Sequence, residues 1–233
     1  MMYTFLTIGL LLITASCSKP DEPMTENQPL TYLALGDSYT IGQGVPENER
    51  WPVVLADTLR KSEIHLQQPQ IIARTGWTTA ELKSGIAQAN PEGPFDLVSL
   101  LIGVNNQYRG VSRGYTLEGY RQEFEELLQM AIDFAGGDPK KVFVVSIPDY
   151  SVTPFVVQSN KQKVSREIEE YNQVNLDVSN SQGVSYFNIT PVSRLAQQDP
   201  ELLAGDGLHP SGKMYRMWVD AMVGELVTNI LNN

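Results

Sequence analysis

Two stretches, Asp96 to Ile102 (DLVSLLI) and Val142 to Ile147 (VFVVSI), are almost wholly apolar, without the alternation of a strand that keeps one face in water. Strands of that kind are covered on both faces, most simply as part of a parallel sheet with helices above and below. The rest of the chain fits this frame. Tyr32 to Leu35, Gln70 to Ala73 and Val184 to Asn188 read as further strands. Between them, Trp51, Val54, Leu55 and Leu59 predict a helix over Arg50 to Lys61, and Thr78-Thr79-Ala80-Glu81 has the form of a capping box that opens a helix to about Ala89. Leu117, Tyr120, Phe124, Leu127, Leu128, Ala131 and Phe134 mark a long helix closed by Gly136-Gly137. A helix over Val164 to Val178 and a last one bearing Met214, Met217, Trp218, Ala221 and Met222 follow. The methionine spacing there fits core packing better than a ligand box. Alternating strands and helices imply an α/β fold with a central parallel sheet, in which ligands bind at the carboxyl ends of the strands.

The first residues do not belong to that pattern. Phe5 to Ile13 is apolar but too short to span a bilayer, and the small residues Thr14-Ala15-Ser16 and the only cysteine, Cys17, follow it. Residues 1–16 therefore read as a signal peptide. A cysteine directly after the cleavage point resembles the lipobox of bacterial lipoproteins, which implies lipidation of Cys17 and membrane attachment in the cell envelope. The plainer alternative is a secretory leader in which the cysteine has no role. Residues 17–29, with three prolines and no apolar period, read as a tether, and residues 30–233 as one domain. With 17 basic and 27 acidic residues the chain carries a net charge of −10, which repels phosphate backbones and argues against a nucleic-acid partner.

Chemistry concentrates where strands end. The first strand runs into Gly36-Asp37-Ser38, a turn with a serine at its tip. Of the two histidines, His65 sits in a polar stretch, whereas His209 lies in Asp206-Gly207-Leu208-His209-Pro210, three residues after a carboxylate. A serine needs a base to take its proton, and histidine exchanges a proton near neutral pH when a carboxylate orients its ring. Asp206 is placed for that orientation, with Asp149 and Asp199 as lesser alternatives. The bland reading of His209 is a surface residue at a helix start with Pro210 in the first helical position. A tetrahedral intermediate also needs donors for its oxyanion. Gly76 follows the second strand and Asn105, in Gly103-Val104-Asn105-Asn106, follows the third; taken singly, each is equally well a turn or cap residue.

In combination these motifs resemble those of the GDSL or SGNH-hydrolase family of esterases and lipases, through Gly36-Asp37-Ser38, Gly76, Gly103-Val104-Asn105-Asn106 and Asp206-Gly207-Leu208-His209 in that order. The resemblance implies a flavodoxin-like three-layer α/β/α sandwich. It also implies Ser38 as nucleophile, His209 as base and Asp206 as its orienter. The Ser38 and Gly76 N–H groups with the Asn105 side chain would form the oxyanion hole. Asn106 stands where the family usually has aspartate, and the Gly76 segment lacks a neighbouring asparagine often seen there. Loops at the same rim, Tyr39 to Asn48, Gln107 to Tyr115 and Pro148 to Gln158, are expected to shape the pocket, with Tyr108 and Tyr150 as candidate substrate contacts and Arg109, Tyr115 and Phe155 beside them.

The activity expected is hydrolysis of a short-chain acyl ester or a lysophospholipid-like ester. The alternatives are deacetylation of a carbohydrate, or an envelope binding protein of the same fold that has lost catalysis. No cofactor is expected. A metal centre is not expected either, because one cysteine and two histidines leave too few ligands. A nucleotide-binding module fits poorly: the turn after the first strand lacks both the dinucleotide glycine spacing and the lysine of a phosphate loop.

Overall fold

The computed structural model describes residues 28–228. The leader at 1–16, Cys17 and most of the tether at 17–29 lie outside the described residues. Five strands, β1 (Tyr32–Gly36), β2 (Gln70–Ala73), β3 (Leu97–Leu101), β4 (Val142–Val145) and β5 (Ser185–Phe187), form one all-parallel sheet in the order β2-β1-β3-β4-β5. The three central strands β1, β3 and β4 are buried along their whole length, which accounts for their unbroken apolar runs. The single hydroxyl inside β3, Ser99, is paired at 2.9 Å with Tyr32 of β1, so no polar atom is stranded there. Edge strand β2 begins on exposed Gln70.

Among the described residues eight α-helices accompany the strands: α1 (Ser38–Ile41), α2 (Trp51–Lys61), α3 (Thr79–Ala89), α4 (Val104–Arg109), α5 (Leu117–Phe134), α6 (Lys161–Ser181), α7 (Thr190–Arg194) and α8 (Gly212–Leu226). They pack in two groups, α2 against α8 and α5 against both α3 and α6, which makes the three-layer α/β/α sandwich. The expected stripes are buried in the main, but at the two ends of α5 Leu117 is exposed and Phe134 half-buried. Trp51, Leu55 and Leu59 of α2 and Phe124, Leu127, Leu128 and Ala131 of α5 are fully enclosed, each large side chain contributing about 1.5–3 kcal/mol by leaving water. The capping box of α3 is present, with the Thr78 side chain accepting from the Glu81 N–H and Glu81 accepting from the Thr78 N–H. Among the described residues no helix is long and apolar enough to cross a membrane.

Some expectations shift. In α8, Met214, Trp218 and Met222 are core residues, but Met217 is half-buried and Ala221 exposed, their places being taken by Tyr215 and Val219. Helix α6 is longer than the apolar period indicated, starting at Lys161 rather than Val164. The short helices α1, α4 and α7 were not expected at all: four to six residues are too few to display a period.

The strand order sets the site. β1 lies between β2 and β3, so residues following β2 and β3 flank those following β1. Gly36 ends β1 in a space that admits no side chain: a Cβ there would clash with the Thr40 hydroxyl and with the backbone oxygen of Leu101 on β3. Gly36→Ala is therefore expected to lower the unfolding free energy by about 1–3 kcal/mol, measured by urea denaturation. A wild-type midpoint would show that the turn has room to move.

Candidate active site

Ser38 is the first residue of α1, and its N–H belongs to the orphan donors of a helix start. Asp37 caps that helix, its Oδ1 accepting from the Tyr39 N–H at 3.0 Å. The cap fixes the turn that lifts Ser38 out of the sheet. Gly42, at φ +71°, ends the helix after one turn by donating to the Ser38 carbonyl. Asp37 is completely buried, and its Oδ2 has no hydrogen-bond partner among the described residues. Loss of solvent pushes its carboxyl up to about 7, against the lowering effect of the Tyr39 N–H.

His209 arrives on the loop before α8. Its Nδ1 lies 2.6 Å from Asp206 Oδ2, while Asp206 Oδ1 accepts from the N–H groups of Leu208 and His209, both at 3.0 Å. Gly207, at φ +68°, permits the tight turn that brings the carboxylate back onto the ring. Partial burial opposes ionisation of Asp206, but its hydrogen bonds with His209 and Leu208 outweigh that and hold its carboxyl below the ordinary value. His209 is 8% exposed and its ring meets that of Tyr39 in an edge-type contact, 5.6 Å between centroids, so it is no surface histidine. Pro210 is not the first residue of α8; it precedes the cap, Ser211. The hydrogen bond of the ring to Asp206 is made through Nδ1, on the side away from Nε2.

Of the residues the sequence singled out for the chemistry, Ser38, Gly76, Asn105 and His209 line one cavity of about 140 Å³, and Asp206 does not line it but is hydrogen-bonded to the His209 ring. Gly76 has φ +87°. Asn105 donates through Nδ2 to the Trp77 carbonyl at 2.9 Å, which uses one of its two amide hydrogens and fixes the direction of the other. Asn106, in place of the usual aspartate, accepts from the Thr79 N–H at 3.1 Å and donates to the Thr79 hydroxyl at 2.6 Å. It thereby both accepts and donates at the start of α3. The lesser orienters are engaged elsewhere: buried Asp149 with Arg194 (2.9 Å) and Ser165 (2.7 Å), and Asp199 with Lys213 (2.8 Å). His65 is exposed.

The aromatic residues divide in role. Tyr108 is 60% exposed and Phe155 50%, and they form with Tyr150 a cluster of three rings, 5.9–6.5 Å apart, on the cavity wall. Tyr150 presents its ring only, because its hydroxyl donates to Gln107 at 2.8 Å and Gln107 in turn donates to Glu167 at 2.8 Å. Beyond the rings opens a larger groove of about 640 Å³ that shares them and includes Lys163, Glu167 and Glu170. Arg109, expected at the rim as a possible substrate contact, is instead committed to Glu81, Tyr115 and the Gly76 carbonyl, and Tyr115 holds it through its hydroxyl. Sequence reasoning missed Thr75 and Leu208 as cavity walls and Tyr39 as the support of His209; their only signal was adjacency to Gly76, His209 and Ser38.

A model of the GDSL-like lipase/acylhydrolase family matches residues 34–217. No curated protein matches the chain. Among solved structures, TesA is 18% identical with a TM-score of 0.63, over 84% of this chain and 97% of its own. The psychrotrophic esterase EstA from Pseudoalteromonas sp. is 18% identical with a TM-score of 0.61, over 87% and 99%. The acetylxylan esterase Axe2 from Geobacillus stearothermophilus is 18% identical with a TM-score of 0.61, over 84% and 94%. At such identities the likeness is one of fold.

The raised carboxyl of Asp37 gives a signed expectation. Between pH about 4 and about 7 the unfolded chain has released this proton and the folded one retains it, so the contribution of Asp37 to stability falls as pH rises through that window. Asp37→Asn keeps a capping oxygen and cannot ionise. Its stability relative to wild type should be near zero at pH 4 and grow, by on the order of a few kcal/mol, up to pH 7. A difference that stays flat across pH 4–8 in denaturation curves would show that Asp37 does not hold its proton.

Proposed function

Because the chain belongs to the GDSL-like lipase/acylhydrolase family and is a carboxylic ester hydrolase, we propose that it cleaves short-chain acyl esters through an acyl-serine intermediate on Ser38. One observation carries this reading: His209, hydrogen-bonded through Nδ1 to Asp206, lines a single small cavity together with Ser38, Gly76 and Asn105. His209 Nε2 takes the Ser38 proton as Oγ attacks the ester carbonyl. The negative charge that develops on the carbonyl oxygen is met by the N–H groups of Ser38 and Gly76 and by the Asn105 amide. Collapse of the intermediate breaks the bond to the alcohol, which leaves with the proton from the imidazolium. Water, giving its proton to the same nitrogen, then attacks the acyl-serine, and the acid departs as Ser38 recovers its hydrogen.

The size and lining of the cavity favour a short acyl group. About 140 Å³ walled by Val104, Tyr108, Phe155 and Leu208 is well below the roughly 300–1,000 Å³ of a drug-sized pocket. That argues against a lysophospholipid-like substrate. A second observation supports a carbohydrate ester: the groove beyond the three rings mixes aromatic and aliphatic side chains with Lys163, Glu167 and Glu170, which can hydrogen-bond to hydroxyl groups. Several structures of the same fold, Axe2 among them, are acetylxylan esterases. For location, residues 1–16 would direct export and a lipid on Cys17 would hold the domain at an envelope membrane through the tether at 17–29.

Hydrolysis of p-nitrophenyl esters from acetate to long acyl chains should be fastest at two to four carbons and be abolished by Ser38→Ala without loss of fold. Undiminished turnover of long chains would favour lipids, and activity surviving in Ser38→Ala would remove the nucleophile. A folded wild type inactive on every ester would favour the binding-protein alternative. Cys17→Ser should move the full-length protein from the membrane to the soluble fraction on cell fractionation; an unchanged membrane fraction would rule out the lipid anchor.

A further inference from the structure

Helix α4 is only six residues long, yet three of its side chains reach the segment that follows β2. Asn105 donates to the Trp77 carbonyl at 2.9 Å, Asn106 accepts from the Thr79 N–H at 3.1 Å, and Arg109 Nη2 donates to the Gly76 carbonyl at 2.7 Å. Asn105 and Arg109 are four residues apart, on one face of the helix, and grip successive carbonyls.

The guanidinium is itself fixed. Nη2 lies 3.0 Å from Glu81 Oε2, Nη1 lies 3.2 Å from both Glu81 Oε1 and the Tyr115 hydroxyl, and the Arg109 Cζ sits 5.8 Å from the Tyr115 ring centre. Glu81 is held in turn by the capping box with Thr78.

Gly76 has nothing comparable of its own. It occupies φ +87°, and apart from its chain neighbours no residue has an atom within 4 Å of where a Cβ would be, so no tertiary packing at that position steadies it. A glycine in open space keeps its peptide orientation only if its neighbouring carbonyls and N–H groups are anchored.

We propose that Arg109 is a positioning residue for the oxyanion hole. By holding the Gly76 carbonyl it fixes a residue that lines the cavity and is read as an oxyanion donor. It does so from the helix that also supplies Asn105, so the two donors hold their separation as one body. This inference rests on the reading of Gly76 and Asn105 as oxyanion donors. Arg109 lines the outer groove and not the 140 Å³ cavity, so its effect passes through Gly76 and falls on the transition state rather than on substrate binding.

The test compares Arg109→Met, Arg109→Lys and Asn105→Ala with wild type on p-nitrophenyl acetate. Affinity for phenylboronic acid, which forms a tetrahedral adduct with a serine oxygen, is measured alongside, and the folded fraction is followed by circular dichroism. Loss of one oxyanion donor costs about 10²–10³-fold in kcat. Loosening one should cost less, so Arg109→Met is expected to lower kcat about 10- to 100-fold, with KM within threefold and boronate affinity falling in step. Arg109→Lys, retaining one charged donor without the fork, should recover part of both.

Wild-type kcat and boronate affinity in Arg109→Met, or a loss confined to KM, would overturn the proposal. If Arg109→Met does not fold, Arg109→Lys decides it: a joint severalfold loss supports the proposal, and wild-type values for both overturn it. Asn105→Ala separates the two levels. If it leaves both readouts intact, the oxyanion reading itself fails. If it lowers both while the Arg109 variants lower neither, only the role of Arg109 fails.

Discussion

A parallel sheet whose central strands have no polar face is the constraint from which the rest of this molecule follows. Every backbone group of β1, β3 and β4 must find its partner in the ladder, because both faces are sealed by apolar side chains and helices. Polar chemistry is thereby confined to the places where strands stop. The chain moves from β1 to β2 on one side and then crosses to β3 on the other, so the order β2-β1-β3 leaves the turn after β1 between two neighbours. Ser38, Gly76 and Asn105 are close because their strands are adjacent, although Ser38 and Asn105 are 67 positions apart in the chain.

The same rim shows how buried polar groups are kept satisfied beside the candidate site. After β4, the Asn172 side chain accepts from the Ile147 N–H at 2.7 Å and donates to the Ile147 carbonyl at 2.9 Å, replacing the strand partner that the loop lacks. Asp149 is enclosed, yet hydrogen bonds from Ser151, Ser165 and Arg194 outweigh the burial that opposes its charge and hold its carboxyl below the usual range. Asp37 is the contrast. Equally buried and with one oxygen unpartnered, it is pushed the other way. Two carboxylates on one rim, after β1 and after β4, are thus set apart by the number of donors that face them.

The parts legible in the sequence were those carried by local pattern. Unbroken apolar runs marked β3 and β4, and a capping box marked the start of α3. The Asp206–His209 pair was legible because three residues and a left-handed glycine suffice to close it. Asn105 and Gly76 could be nominated because each follows a strand. What escaped was whatever depends on distant partners or on elements too short to have a period. Helix α4 gives no periodic signal in six residues. Arg109 looked like a rim residue available to substrate, since its acceptor at Gly76 is 33 positions away. The support of His209 by Tyr39 is likewise a tertiary fact, because residues 170 positions apart meet only after the sheet has formed.

The three rings of Tyr108, Tyr150 and Phe155 are a party wall between a small apolar chamber and a broad mixed one. Tyr150 is anchored through Gln107 to α6, whereas the side chains of Tyr108, on α4, and Phe155, on the segment between β4 and α6, have half or more of their surface free. The wall therefore has one fixed panel and two adjustable ones. Variation at the adjustable positions would redraw the boundary between the chambers while the sheet ends beneath it stay in place, so a scaffold of this kind can be retuned for new esters without being refolded.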